Sequence, residues 1–133
     1  MKSNCLCLSV SKKNEKKLDL LEEIKNRIIE IEELSDKFFE PFMGDFVSIQ
    51  RNGAKVPDHI DYNPEDQTLY SRRYNIFITL PEIGGLPVYN NETLFLEEKC
   101  LLKVDSGIVN HSTTQIQGEQ PRIILSYGFA IKK

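Results

Sequence analysis

Two histidines and one carboxylate carry the clearest chemical signal in this chain. His59 and Asp61 flank Ile60, and His111 is the only other imidazole in 133 residues. On an extended segment, residues i and i+2 project to the same face, so His59 and Asp61 can present a ring nitrogen and a carboxylate oxygen to one point. A third ligand has to come from elsewhere in the chain, and His111 is the remaining imidazole. Two imidazoles and a carboxylate on one face of a metal, with the opposite positions open, suit catalytic ferrous iron.

The elements that would position these residues are mostly strands. Asn4 to Val10 alternate loosely and read as a short edge strand, followed by a lysine-rich polar turn. From about Asn14 the period changes. Leu18, Leu21, Ile24, Ile28, Ile31, Leu34 and Phe38 recur at steps of three and four and form one apolar helical stripe. Glu23–Arg27 and Glu33–Lys37 have the spacing of supporting ion pairs, and Pro41 and Gly44 are the expected stop. After Gly44 the texture is β. Phe46 to Gln50 and Lys55 to Asp61 are extended, Pro57 marking the second as an edge or bend. Tyr62 to Ser71 reads as a polar loop, and Arg73 to Leu80 as a strand with Asn75, Phe77 and Thr79 on one face. Short strands are expected near Pro87–Tyr89, Thr93–Leu96, Cys100–Val104, Gly107–His111, Thr113–Ile116 and Arg122–Ile131, with Asn90-Asn91 and Asp105-Ser106-Gly107 as turns. Six to eight short strands spaced by turn residues predict a sandwich or jelly roll.

Composition narrows the function classes. One domain over 1–133 is expected, with 1–44 supplying a strand and a supporting helix and 45–133 the β core. A chain of this length buries roughly two-thirds of its unfolded surface. The 17 basic and 20 acidic residues leave a net charge of −3, without the basic stripe that nucleic acid demands. No apolar run approaches a membrane span, and no signal-peptide core follows the N-terminus. Three cysteines without a disulfide framework point to a reducing, cytoplasmic setting. Phosphate-cradling glycine motifs are absent. Ser112 beside His111 is no nucleophile–base pair, because adjacent strand residues face opposite ways.

The order His59-x-Asp61, Arg72-Arg73, strand, Gly84-Gly85, Gly107, Asn110-His111, Pro121-Arg122 resembles the Fe(II)/2-oxoglutarate-dependent dioxygenases, in particular their prolyl-hydroxylase-like branch, over residues 46 to 131. The resemblance implies a double-stranded β-helix, a jelly-roll or cupin-like fold, behind one N-terminal amphipathic helix. It implies that His59, Asp61 and His111 hold Fe(II), with three positions left for the co-substrate's 2-oxo acid end and O2. Arg122 would pair with the distal carboxylate of 2-oxoglutarate, as a permanently charged planar fork suits. Thr79 matches a hydroxyl-bearing position beside that carboxylate, where prolyl hydroxylases usually carry Tyr. Asn75 shares its face, and Arg72 matches a basic position near the substrate entrance. Tyr62, Tyr70 and Tyr89 are further candidates to touch substrate.

The implied reaction is hydroxylation of an unactivated C–H bond. Halogenating relatives lack the carboxylate that Asp61 supplies here. An exposed peptidyl side chain such as a prolyl residue is one expected substrate, and a small metabolite the other. The alternative is a cupin-like module that binds a metal or small molecule without turnover. Ordinary polar residues on two strands would also account for the histidines. The helical stripe serves either a monomer or a homodimer.

Overall fold

The computed structural model describes residues 5–9, 15–34, 40 and 42–133, with side chains from residue 20 onward. Eight strands and one helix lie among them: β1 (Cys5–Ser9), α1 (Glu15–Ile31), β2 (Phe46–Gln50), β3 (Leu69–Thr79), β4 (Pro87–Tyr89), β5 (Glu92–Thr93), β6 (Leu101–Val104), β7 (His111–Thr113) and β8 (Arg122–Lys132). They form an antiparallel five-stranded sheet in the order β1-β2-β8-β3-β6 and a three-stranded sheet in the order β5-β4-β7. This is the expected mainly-β jelly roll behind one helix, with β1 at a sheet edge.

Alternation along the long strands gives the larger sheet two unlike faces. Tyr74, Tyr127 and Phe129 project to one side and meet Ile28 of α1 in the hydrophobic core, with Ile24, Ile29, Leu34, Ile76, Leu125 and Ile131 packed around them. Tyr74 and Phe129 meet edge-on, with ring centroids 5.6 Å apart. The helix is held at both ends of this contact. The Tyr127 hydroxyl donates to the Leu21 carbonyl at 3.1 Å, and the Tyr74 hydroxyl to Glu32 Oε2 at 3.1 Å.

The helix stops earlier than Pro41. The Leu34 amide donates to the Ile29 carbonyl at 2.9 Å and the Glu33 amide to Glu30 at 3.4 Å, while Glu33 takes φ 51°. That is a Schellman cap, with Leu34 as the hydrophobic residue folding back on the core. Leu34 therefore keeps helical spacing in sequence without being in the helix. Ile31, expected in the stripe, is 63% exposed, and Ile29 packs instead. Arg27 pairs with Glu30 at 2.7 Å. Phe38, Lys37 and Pro41 lie outside the described residues, as does the side chain of Leu18.

Strand boundaries differ from expectation at several points, the expected strand Thr113–Ile116 being replaced by His111–Thr113. β3 starts at Leu69, because Leu69, Tyr70 and Ser71 pair with Lys132, Ile131 and Ala130 of the long β8. β5 is only two residues long, and Gly107–Val109 form a turn leading into β7. Asn90 and Asn91 both take positive φ, 46° and 68°, the conformation a tight hairpin between β4 and β5 demands.

Residues 54–59 extend the smaller sheet without counting as a named strand. Ile116 and Thr113 donate to the carbonyls of Ala54 and Val56 at 3.0 and 3.1 Å, and His59 bridges to His111. Pro57, which has no N–H to give, sits on this outermost segment.

Candidate metal centre

The His59–His111 bridge is the element that assembles the site. Each residue donates its amide to the other's carbonyl, at 3.0 and 2.9 Å, so the two lie directly opposite across an antiparallel pair. Opposed residues share a face, and the imidazole centroids are 4.2 Å apart. Asp61 lies two positions on, and its own amide donates to the Ser106 carbonyl at 2.8 Å. The segment is secured again at Asn63, whose side chain accepts from the Ser71 amide at 2.9 Å and donates to the Gly107 carbonyl at 2.8 Å. A Cβ at Gly107 would overlap the Asn63 side-chain oxygen, so the close approach that ties the Asp61 loop to the turn before His111 requires glycine there.

The ligand atoms converge. One atom from each of His59, Asp61 and His111 lies within 4.8 Å of the others. Asp61 Oδ1 is 3.3 Å from His59 Nε2 and 3.6 Å from His111 Nε2. Both imidazoles turn their Nδ1 to a backbone carbonyl two residues earlier, Pro57 at 2.8 Å and Val109 at 2.9 Å. A carbonyl only accepts, so each Nδ1 carries the proton, and in the neutral ring each Nε2 is left as a lone pair. Three electron-pair donors then point at one another. Such a set repels itself unless a cation or proton lies between, and it fits a divalent metal by donor type and tautomer. Burial holds the His111 imidazole below its ordinary pKa, with the neighbouring His59 adding to the effect and the Val109 bond and Asp61 opposing it.

The inner face of the larger sheet looks onto this cluster. Ser48, Gln50, Arg73, Arg122 and Ser126 are all buried there, an unusually polar lining for an interior. Register explains the grouping: Gln50 opposes Arg122, and Asn75 opposes Ser126. Arg122 is 5% exposed, donates to Gln50 Oε1 at 3.0 Å, and lies 5.3 Å from the Phe77 ring centroid. Asn75 Oδ1 is buried and has no hydrogen-bond partner among the described residues. A half-turn of the amide would bring its NH2 group to the same place.

The other sequence-predicted residues are placed differently. A β-bulge between Phe77 and Thr79 sets Thr79 opposite Ile123, and its hydroxyl donates to the Pro121 carbonyl at 2.7 Å, beside Arg122. Arg72 and Tyr70 alternate away from Arg73 and Asn75, onto the face that carries the helix. Arg72 is committed there to Asp105 at 2.5 Å and to the Tyr70 hydroxyl at 2.7 Å. These two residues are not brought to the cluster. Tyr62 is 80% exposed next to Asp61, with its ring 5.7 Å from that of Phe42.

Three residues carry more of the site than sequence reasoning assigned them. Arg73 Nε lies 3.4 Å from Asp61 Oδ2, and its Nη2 donates to the buried Glu40 at 2.7 Å. Arg73 was legible, since it has the same parity as Asn75 and Phe77; Glu40 had no signal. Tyr89 opposes His111 across β4 and β7, and its ring meets the imidazole edge-on at 6.1 Å. Burial pushes its hydroxyl up to about 12, with the charge of Arg122 lowering and that of Asp61 raising it, so it stays protonated and able to donate.

The fold has solved counterparts. The chain is similar to the viral collagen prolyl hydroxylase of Paramecium bursaria Chlorella virus-1, solved with 2-oxoglutarate, at TM-score 0.67 and 14% identity over 97% of this chain and 81% of that one. It is similar to a Pseudomonas putida prolyl-4-hydroxylase at TM-score 0.56 and 14% identity, over 97% of this chain and 71% of that one. The architecture is therefore prolyl-hydroxylase-like, and at this identity the likeness speaks for the fold. No family model and no curated protein matches the sequence. No helix among the described residues is long and apolar enough to cross a membrane.

Proposed function

We propose that this chain is an Fe(II)- and 2-oxoglutarate-dependent dioxygenase that hydroxylates an unactivated C–H bond. The observation that carries the reading is the convergence of two Nε2 lone pairs and one carboxylate oxygen on a point facing a buried, arginine-bearing polar wall. The prolyl-hydroxylase-like fold supports it independently.

His59, Asp61 and His111 would hold the ferrous ion. With 2-oxoglutarate and O2, bound iron would supply oxidative decarboxylation, giving succinate and CO2 as one oxygen atom enters the substrate. The remaining work belongs to the chain. Arg122 offers a fixed charge and a planar fork to the distal carboxylate, in surroundings dry enough for a charge-assisted bond to count. Gln50 and Phe77 hold the guanidinium in place. Asn75 offers an amide that has no partner among the described residues for its Oδ1, and the Tyr89 hydroxyl stays protonated as a donor. Thr79 acts on this pocket through the Pro121 carbonyl, fixing the strand from which Arg122 projects. The exposed Tyr62 and Phe42 rings flank the Asp61 loop and are the surfaces a peptidyl substrate would meet first.

An anaerobic titration tests the reading. Fe(II) and 2-oxoglutarate together are expected to give a weak visible charge-transfer band, and His111→Ala is expected to abolish it. A protein that binds Fe(II) and 2-oxoglutarate yet never forms succinate, with peptides or with metabolites, would be a binding module instead.

A further inference from the structure

The two oxygens of Asp61 face different partners. Oδ1 lies between the imidazoles, at 3.3 and 3.6 Å from their Nε2 atoms, whereas Oδ2 lies 3.4 Å from Arg73 Nε. A carboxylate can give a divalent cation one oxygen or both. Both would fill one of the three positions that the proposed reaction needs for the co-substrate and O2.

Arg73 cannot swing aside. Its Nη1 donates to the Gly44 carbonyl at 3.0 Å and to Ser126 Oγ at 3.3 Å, and its Nη2 to Glu40 Oε2 at 2.7 Å. The guanidinium lies 4.8 Å over the Phe46 ring. Glu40, 4% exposed, is itself fixed by the amides of Phe42, Met43 and Gly44, at 2.7, 2.9 and 3.0 Å. Charge explains why a buried cation is tolerated beside a dication. Glu40 neutralises Arg73, so the Glu40–Arg73–Asp61 group keeps a net negative charge, and Asp61 still attracts a metal.

We infer that Arg73, clamped by Glu40, is a positioning residue that holds Asp61 to one-oxygen ligation and keeps three metal positions open. The inference rests on the proposed metal centre. A simple staple between the residue 40–46 loop and β3 would use the same Glu40–Arg73 contacts, so the test must read the metal rather than the fold.

Mn(II) is the probe, because water-proton relaxation counts the rapidly exchanging waters on the bound ion. Arg73→Met alone would strand Glu40 as an uncompensated buried charge, so the variant of choice is Glu40→Gln combined with Arg73→Met. In wild type about three waters are expected per bound Mn(II), and in the double variant about two, a fall of about one-third in relaxation per bound ion. Arg73→Lys, which keeps the charge and a donor, is expected to retain more of the wild-type value. Unchanged relaxation per bound ion in the double variant, with only its melting temperature lowered, would overturn the inference and leave a structural staple. A wild-type protein that takes up no Mn(II) or Fe(II) would instead bring down the metal-centre reading itself, and this inference with it.

Discussion

The two faces of the larger sheet are built from the same strands and do opposite things. On one side Tyr74, Ile76, Tyr127 and Phe129 pack against a helix. On the other, one residue out of step, Arg73, Asn75, Ser126 and Arg122 line a polar interior with Gln50 and Ser48. Apolar burial is non-directional and adds up with area, so the helix-bearing face can supply stability without fine geometry. The inner face carries charge in a dry place, which costs stability and is tolerable only where each group has a fixed partner. Alternation lets one ladder of backbone hydrogen bonds serve both demands. The difference predicts that mutations one position apart on β3 or β8 will fail in different ways.

The largest effect is expected at Phe129, 1% exposed and central to the helix–sheet core. Phe129→Ala should cost about 3–5 kcal/mol in urea unfolding, while metal affinity per folded molecule stays at the wild-type value. A parallel loss of metal affinity would show that the two faces are not separable. The reciprocal substitution is Arg122→Ala on the inner face. It should weaken 2-oxoglutarate binding by about 2–5 kcal/mol, read by calorimetry on the metal-loaded protein, with iron binding retained. Equal co-substrate affinity in mutant and wild type would remove Arg122 from that role. Tyr74→Phe sharpens the contrast at smaller scale. It removes the 3.1 Å bond to Glu32, along with the hydroxyl's interaction with Arg72, and keeps the ring in the core, so a loss of about 1 kcal/mol in unfolding, with co-substrate binding untouched, is expected.

This division explains what could be read from the sequence. His59-x-Asp61 was legible because strand alternation is a local rule, and His111 because the chain offers no other imidazole. Their facing placement needs the antiparallel bridge, which depends on pairing across many residues. The polar parity of Asn75 was visible in β3, and applying it to the Arg72-Arg73 pair selects Arg73. The family-like position favoured Arg72, which alternation sends to the helix side. The helix terminus was hidden by local mimicry. Glu33 takes a left-handed conformation usually given to Gly or Asn, and Leu34 continues the apolar spacing as a cap residue. Glu40 could not be found at all. Its burial is decided by Arg73, a partner far along the chain, and nothing local distinguishes it from the solvated glutamates of α1.

The smallest expected effect comes from a single titration and separates the faces by pH. In the metal-free protein, burial holds the His111 imidazole below the 6.5 of the unfolded chain. Between the two values the unfolded state binds more protons, so stability rises with pH there. The contribution is complete above pH 6.5 and is lost as pH falls toward the depressed folded value. The shifted groups behind the sheet titrate elsewhere: Tyr74 and Tyr127 are pushed up to about 12 by burial, and Glu32 is held below the usual carboxylate value by Lys103. Urea unfolding of metal-free wild type and His111→Gln, at pH 5.5 and 7.5, should therefore show a steeper loss at low pH in the wild type. Identical slopes would mean that the imidazole titrates as it does in the unfolded chain, and that the polar face is wetter than its burial implies. Bound metal should steepen the wild-type dependence further, because protonating Nε2 then also releases the ion, whereas Tyr74→Phe should leave that slope alone.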